Sequence, residues 1–131
     1  ATGLLPLCFG EGTKVSKFLL EADKRYWATL RLGQETETGD AEGAVTETSE
    51  VAVEEGRVQE VLAAFTGQIE QVPSVYSAIK KGGEPLHKKA RRGEAVESPE
   101  ARQVQIHRLD VLRLADDRLE LDIHCSKGTY I

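Results

Sequence analysis

Two stretches of strict alternation constrain this chain more than any other feature. Tyr26, Ala28, Leu30 and Leu32 alternate with Arg25, Trp27, Thr29 and Arg31, and Leu119, Leu121, Ile123 and Cys125 alternate with Glu120, Asp122 and His124. Successive side chains of a strand point to opposite faces, so a period of two predicts two strands, each with one apolar and one polar face. Tyr26 falls on the apolar face of the first, Arg25 and Arg31 on the other, and Gly33 ends it. A third strand is predicted over 104–114, joined to the last by a turn at Asp116-Asp117. A turn signal over 39–43 precedes a short strand candidate at 44–48.

Two segments carry the other period. Val15, Phe18, Leu19 and Ala22 share one helical face over 13–22, with Thr13 placed as N-cap. Val58, Val61, Leu62 and Phe65 mark a second amphipathic helix, closed by Gly67 at its C′ position. Strands mixed with two helices predict an α+β fold: a mixed, mainly antiparallel sheet with flanking helices. At 131 residues the chain suits one domain or a substantial piece of one. There is no methionine, so the chain reads as an interior section of a longer protein.

Several function classes drop out. No apolar run approaches the roughly 18 residues of a membrane span. Cys8 and Cys125 are too few for a disulfide framework, which points to a reducing, cytoplasmic setting. His87, His107 and His124 are scattered, without a cysteine or carboxylate at ligand spacing, so a metal site is not expected. Gly10-Glu11-Gly12-Thr13-Lys14 lacks the residue order of a phosphate loop. Asp40 and Glu42, in a glycine-flanked turn, read as solvated carboxylates, and no serine or cysteine has a visible histidine partner.

The segment 71–103 has a different character. It holds Pro73, Pro85 and Pro99 together with Gly82, Gly83 and Gly93. From Lys80 to Arg92, the six basic residues Lys80, Lys81, Lys88, Lys89, Arg91 and Arg92 stand against a single acid, Glu84, a local charge of +5 in a chain of net charge −5. The rest of the chain therefore carries −10. A basic arm on an acidic body is an electrostatic address for a polyanion, because each lysine or arginine that neutralises a phosphate releases counterions. The competing reading is a solvated lysine-rich segment serving solubility. Leu86 and Ala90, four apart, allow a short helix with one apolar strip.

Four segments resemble one family in order and spacing. Ala1-Thr2-Gly3-Leu4-Leu5-Pro6 with Gly10-Glu11 and Thr13-Lys14 resembles the stretch after the catalytic aspartate of the TruB family of tRNA pseudouridine synthases. Asp23-Lys24-Arg25-Tyr26, Leu32-Gly33, Thr36, Thr38, Asp40 and Gly43 resemble its second motif. The run from Pro73 to Lys80, with Leu86, Ala90-Arg91 and Gly93, resembles its RNA-gripping thumb, and His124 through Ile131 resembles a further active-site strand. The resemblance implies conversion of a uridine in the T-arm loop of tRNA to pseudouridine, without metal or organic cofactor. An aspartate attacks the nucleotide, the glycosidic bond to nitrogen breaks, and the uracil turns and is rejoined through carbon. The base must first be flipped out of its stack, at about a few kcal/mol.

The resemblance also assigns roles. Tyr26 matches the active-site tyrosine that stacks on the flipped base, and Tyr130 a second active-site aromatic. Lys80, Lys81, Lys88, Lys89, Arg91, Arg92 and Lys127 are the expected RNA contacts. His87 stands where the family often has tyrosine. The nucleophilic aspartate is expected just ahead of Ala1, its partner arginine just after Ile131, and an RNA-binding domain beyond. The isolated chain is therefore expected to be inactive. The intact protein is expected to be a monomer acting on tRNA, with no membrane and no obligatory protein partner. A non-catalytic RNA-binding module of the same fold is the alternative. The related guide-RNA-dependent synthases lack a comparable basic thumb, so the 80–92 cluster counts against them.

Overall fold

The computed structural model describes residues 2–74, 80–81, 84–85 and 99–131. A 3-10 turn at Gly10–Val15 leads into helix α1 (Ser16–Glu21), followed by strands β1 (Lys24–Arg31), β2 (Gln34–Thr36) and β3 (Val45–Thr48). Helix α2 (Glu55–Phe65) and β4 (Gly67–Gln71) come next. Then come the two-residue strands β5 (Lys80–Lys81) and β6 (Glu84–Pro85), and last the long strands β7 (Arg102–Ala115) and β8 (Arg118–Cys125). The main sheet has the order β1-β8-β7-β4, and each of its pairings is antiparallel. The pairs β2-β3 and β5-β6 form separate antiparallel ladders. The α+β expectation holds.

Both alternating stretches are sheet strands, and they are neighbours: Tyr26 pairs with Ile123, Ala28 with Leu121 and Leu30 with Leu119. One face of the sheet is therefore continuously apolar. Leu119, Leu121, Ile123, Cys125 and Ile106 are buried there beneath Val58 and Leu62 of α2, with Ala28, Ile69, Leu109 and Val111 packed around them. Each such side chain contributes about 1.5–3 kcal/mol by leaving water. Asp116, at φ +54°, makes the two-residue turn between β7 and β8. Gly67 follows α2 at φ +101°, as its C′ assignment requires, and opens β4 directly. Gly33, at φ +73°, ends β1; a Cβ there would lie 2.5 Å from the Ser49 carbonyl oxygen.

Two elements differ from the sequence reading. The segment 13–22 is not one helix capped by Thr13. It is a 3-10 turn running into a six-residue α-helix, and the Thr13 hydroxyl donates to the Gly10 carbonyl (2.7 Å) rather than accepting from an N–H. The apolar face of α1 is largely uncovered among the described residues, Phe18 being 64% exposed, so little packing holds it to α-helical pitch. Strand β4 carries one apolar residue, Ile69, among Gly67, Gln68, Glu70 and Gln71. It is a strand because it pairs with β7, a partner its own residues do not announce.

The polar face has its own organisation. Asp122 is buried, yet it accepts from Arg25 Nε (2.8 Å) and Nη2 (2.6 Å) and from Arg108 Nη2 (3.0 Å). Arg108 Nε also lies 2.9 Å from Asp110. Hydrogen bonds from Arg25 hold the Asp122 carboxyl below the usual aspartate range. Three adjacent strands are thereby tied at one level. Among the described residues, no helix is long and apolar enough to cross a membrane.

Candidate active site

Lys24, Cys125, Ile106 and Gly67 are successive Cα partners in one row across the four-stranded sheet. Beyond that row, at a single end of the sheet, β4 finishes at Gln71, β7 begins at Arg102 and β8 runs on into Ser126–Tyr130. The chain enters β1 from α1 at the same end. Antiparallel pairing thus gathers three segments far apart in sequence: the 23–26 motif, the 126–130 segment and both stems of the 71–103 insertion.

Each residue of Asp23-Lys24-Arg25-Tyr26 has a separate task. Asp23 Oδ2 lies 3.0 Å from His107 Nε2 and 4.0 Å from His124 Nε2, and the two imidazole centroids are 5.0 Å apart. Lys24 Nζ donates to the carbonyls of Leu19 (3.1 Å), Leu20 (3.4 Å) and Ala22, closing the C-terminus of α1, where a cation is favoured. Arg25 grips Asp122 on the polar face. Tyr26 points to the opposite, apolar face, as the alternation requires, but it sits on an edge strand and is 39% exposed. Its hydroxyl has no hydrogen-bond partner among the described residues. A sealed core tyrosine would have one. The ring therefore presents an open aromatic surface with an available hydroxyl.

The 126–130 segment is tied down on the neighbouring strands. Ser126 N–H donates to the Gln105 carbonyl (2.8 Å), and Ser126 Oγ accepts from Gln105 N–H (2.9 Å). Thr129 Oγ1 donates to the Ser126 carbonyl (2.9 Å), and Gly128 turns the chain at φ +76°. Tyr130 is 37% exposed, and its backbone is held by the side-chain amide of Gln71. Lys127, an expected RNA contact, is half exposed and ion-paired with Glu21 of α1. Lys80 and Lys81 are described as backbone only, in their ladder with Glu84 and Pro85. Lys88, Lys89, Arg91, Arg92 and His87 lie outside the described residues.

Other sequence readings change at this end. His107 and His124 are not scattered: β7-β8 pairing places them side by side on Asp23. Even so, no group of three His, Cys, Asp or Glu side chains is arranged to hold a metal ion among the described residues. Away from this end, Asp40 is solvent-exposed, as the sequence reading has it. It accepts from Thr38 Oγ1 (2.6 Å) and Glu42 N–H (3.0 Å), and the Thr38 hydrogen bond lowers its pKa. Cys125 is fully buried and burial raises its thiol pKa, so it is a packing residue rather than a nucleophile. Sequence reading missed the Asp122 cluster and Gln71, whose partners lie 97 and 59 residues away. No local pattern announces contacts of that range.

An edge-strand aromatic, two insertion stems and a tethered tyrosine thus lie toward one end of an antiparallel sheet. Residues 1–131 match the family model described as TruB family pseudouridylate synthase (N terminal domain). The chain belongs to the TruB family of pseudouridylate synthases. It is 55% identical over its whole length to the tRNA pseudouridine synthase B of Aromatoleum aromaticum and covers 42% of that protein. It is 52% identical to the protein of that name from Pseudomonas putida, over all of this chain and 43% of the relative. The chain thus spans less than half the length of these relatives. A solved Cbf5-Nop10-Gar1 complex contains a chain of similar fold, with a TM-score of 0.61 and 22% identity over 92% of this chain and 26% of the other.

Proposed function

We propose that this chain is the central part of the catalytic domain of a tRNA pseudouridine synthase, which isomerises a uridine of the T-arm loop by base flipping and C-glycoside formation. The nucleophile is an aspartate that the intact protein supplies, so the isolated chain is inactive. Tyr26 offers its ring to the everted uracil and its hydroxyl to a proton transfer. Tyr130 supplies a second aromatic wall. The insertion over 71–103, with Lys80, Lys81, Lys88, Lys89, Arg91 and Arg92, grips the RNA backbone, and Lys127 joins it on exchanging Glu21 for a phosphate. The intact enzyme works as a cytoplasmic monomer on tRNA and needs no metal or organic cofactor.

The observation that carries this reading is the convergence described above: Tyr26, Tyr130 and the stems of the basic insertion share one end of the sheet. A flipped base needs a stacking surface open to solvent and a cationic clamp within reach of it. The exposure of Tyr26, and the absence of a partner for its hydroxyl among the described residues, support that use. The test is tritium release from C5-labelled uridine in tRNA. The full-length protein should release tritium and the 131-residue chain should not. Salt-dependent tRNA binding by the full-length protein without any release would instead identify a non-catalytic RNA-binding module.

A further inference from the structure

We propose that Gln71 is a positioning residue: its side-chain amide fixes the backbone of Tyr130 and thereby aims that ring at the site. The inference rests on the reading of Tyr130 as an active-site aromatic. Gln71 Oε1 accepts from the Tyr130 N–H (2.8 Å), and Gln71 Nε2 donates to the Tyr130 carbonyl (2.7 Å). One amide thus holds both peptide groups that flank a single Cα. It copies the two-bond exchange of an antiparallel residue pair with a side chain in place of a second backbone. Fixing both peptide planes fixes the Cα–Cβ direction, and with it the cone in which the ring can lie.

The tie matters because of where the segment's other anchors fall. Ser126 is fastened to Gln105 and Thr129 folds back onto Ser126, but these bonds secure the start of the segment and precede Tyr130. Gly128, at φ +76°, lies between them and the tyrosine. Among the described residues, the Tyr130 backbone is hydrogen-bonded through Gln71. Gln71 is in turn seated in the sheet: it closes β4 and pairs with Arg102 at the start of β7, so its main chain is held by the ladder while its side chain reaches across. It is also the residue from which the basic insertion departs. Tyr130 and the RNA-gripping arm are therefore registered to each other through one side chain.

Misplacing a group at a reacting centre by about 1 Å costs about 100-fold in rate, with little effect on binding made elsewhere. The experiment uses full-length protein carrying Gln71→Met, Gln71→Glu or Tyr130→Ala. Single-turnover tritium release, tRNA Kd by filter binding and Tm are measured for each. Met keeps the length and loses both bonds. Glu keeps the acceptor but turns a carboxylate oxygen towards the Tyr130 carbonyl. Both Gln71 variants should slow single turnover by about 10- to 100-fold with Kd and Tm unchanged. A wild-type rate in either overturns the proposal. So does a rate loss that appears only together with a fall in Tm or a weaker Kd, since that marks a brace or an RNA contact. If Tyr130→Ala turns over normally, the reading of Tyr130 fails; if it is slow while both Gln71 variants are normal, only the positioning role fails.

Discussion

Replacing Tyr26 separates packing from the proposed chemistry, because the two fall on different parts of one side chain. Tyr26 as a whole residue is 39% exposed, so about three-fifths of it is covered. Removing a fully buried large aromatic costs about 3–5 kcal/mol, and that fraction leaves about 2–3 kcal/mol for Tyr26→Ala. Tyr26→Phe keeps the ring and removes a hydroxyl that has no partner among the described residues, so its stability change should stay within about 0.5 kcal/mol. The kinetic expectation is the opposite. A hydroxyl assisting proton transfer is worth about 100- to 10,000-fold, so Tyr26→Phe in the intact protein should cut single-turnover tritium release by at least about 100-fold. Tyr26→Ala also forfeits base stacking of about 1–3 kcal/mol, a further loss of about 5- to 150-fold in kcat/KM. The assay pairs urea unfolding with single-turnover release on the same preparations. If Tyr26→Phe turned over at half the wild-type rate or better, or lost rate and stability in proportion, the tyrosine would be a packing residue and the argument from its exposure would be wrong.

Replacing Lys88, Lys89, Arg91 and Arg92 together by Ala should weaken tRNA binding and flatten the log Kd against log salt slope by up to about four units; an unchanged slope would leave the cluster facing solvent. Asp122 has its pKa lowered in the folded state, so it contributes stability that is present above the unfolded value near about 3.9 and is lost as pH falls through the folded one. Asp122→Asn should therefore be destabilised at neutral pH and converge on wild type in acid. A deficit of equal size across a urea-unfolding pH series would show that the carboxylate charge is not what ties the three strands. Leu121, 4% exposed beneath α2, should cost about 2–5 kcal/mol as Leu121→Ala in chemical denaturation, whereas Leu112, 54% exposed, should cost well under about 1 kcal/mol as Ala.

The readings that held were those with a local cause. Side chains of a strand alternate whatever the strand pairs with, so the faces of Tyr26 and Asp122, the Asp116-Asp117 turn and the C′ glycine after α2 were legible directly. Helix 13–22 failed for the matching reason. Its apolar spacing is real, but helical pitch in so short a segment depends on a packing surface, and the described residues give α1 little of one. The family too was legible, because its motifs are short and ordered along the chain. The contacts of the motif residues were not, since a motif names residues without saying what they touch.

The sequence by itself determined the strand phases, the turn positions, the charge segregation and the family. The tertiary structure alone decided that β4 is a strand, that β1 and β8 are neighbours, and that His107 and His124 share Asp23. It also brought Arg25 to Asp122 and Gln71 to Tyr130. Periodicity is set by backbone geometry within a few residues, whereas partners 59 or 97 positions apart meet only when the whole sheet buries its apolar face in one strand order. That order carries both tyrosines and the stems of the basic insertion to the same end.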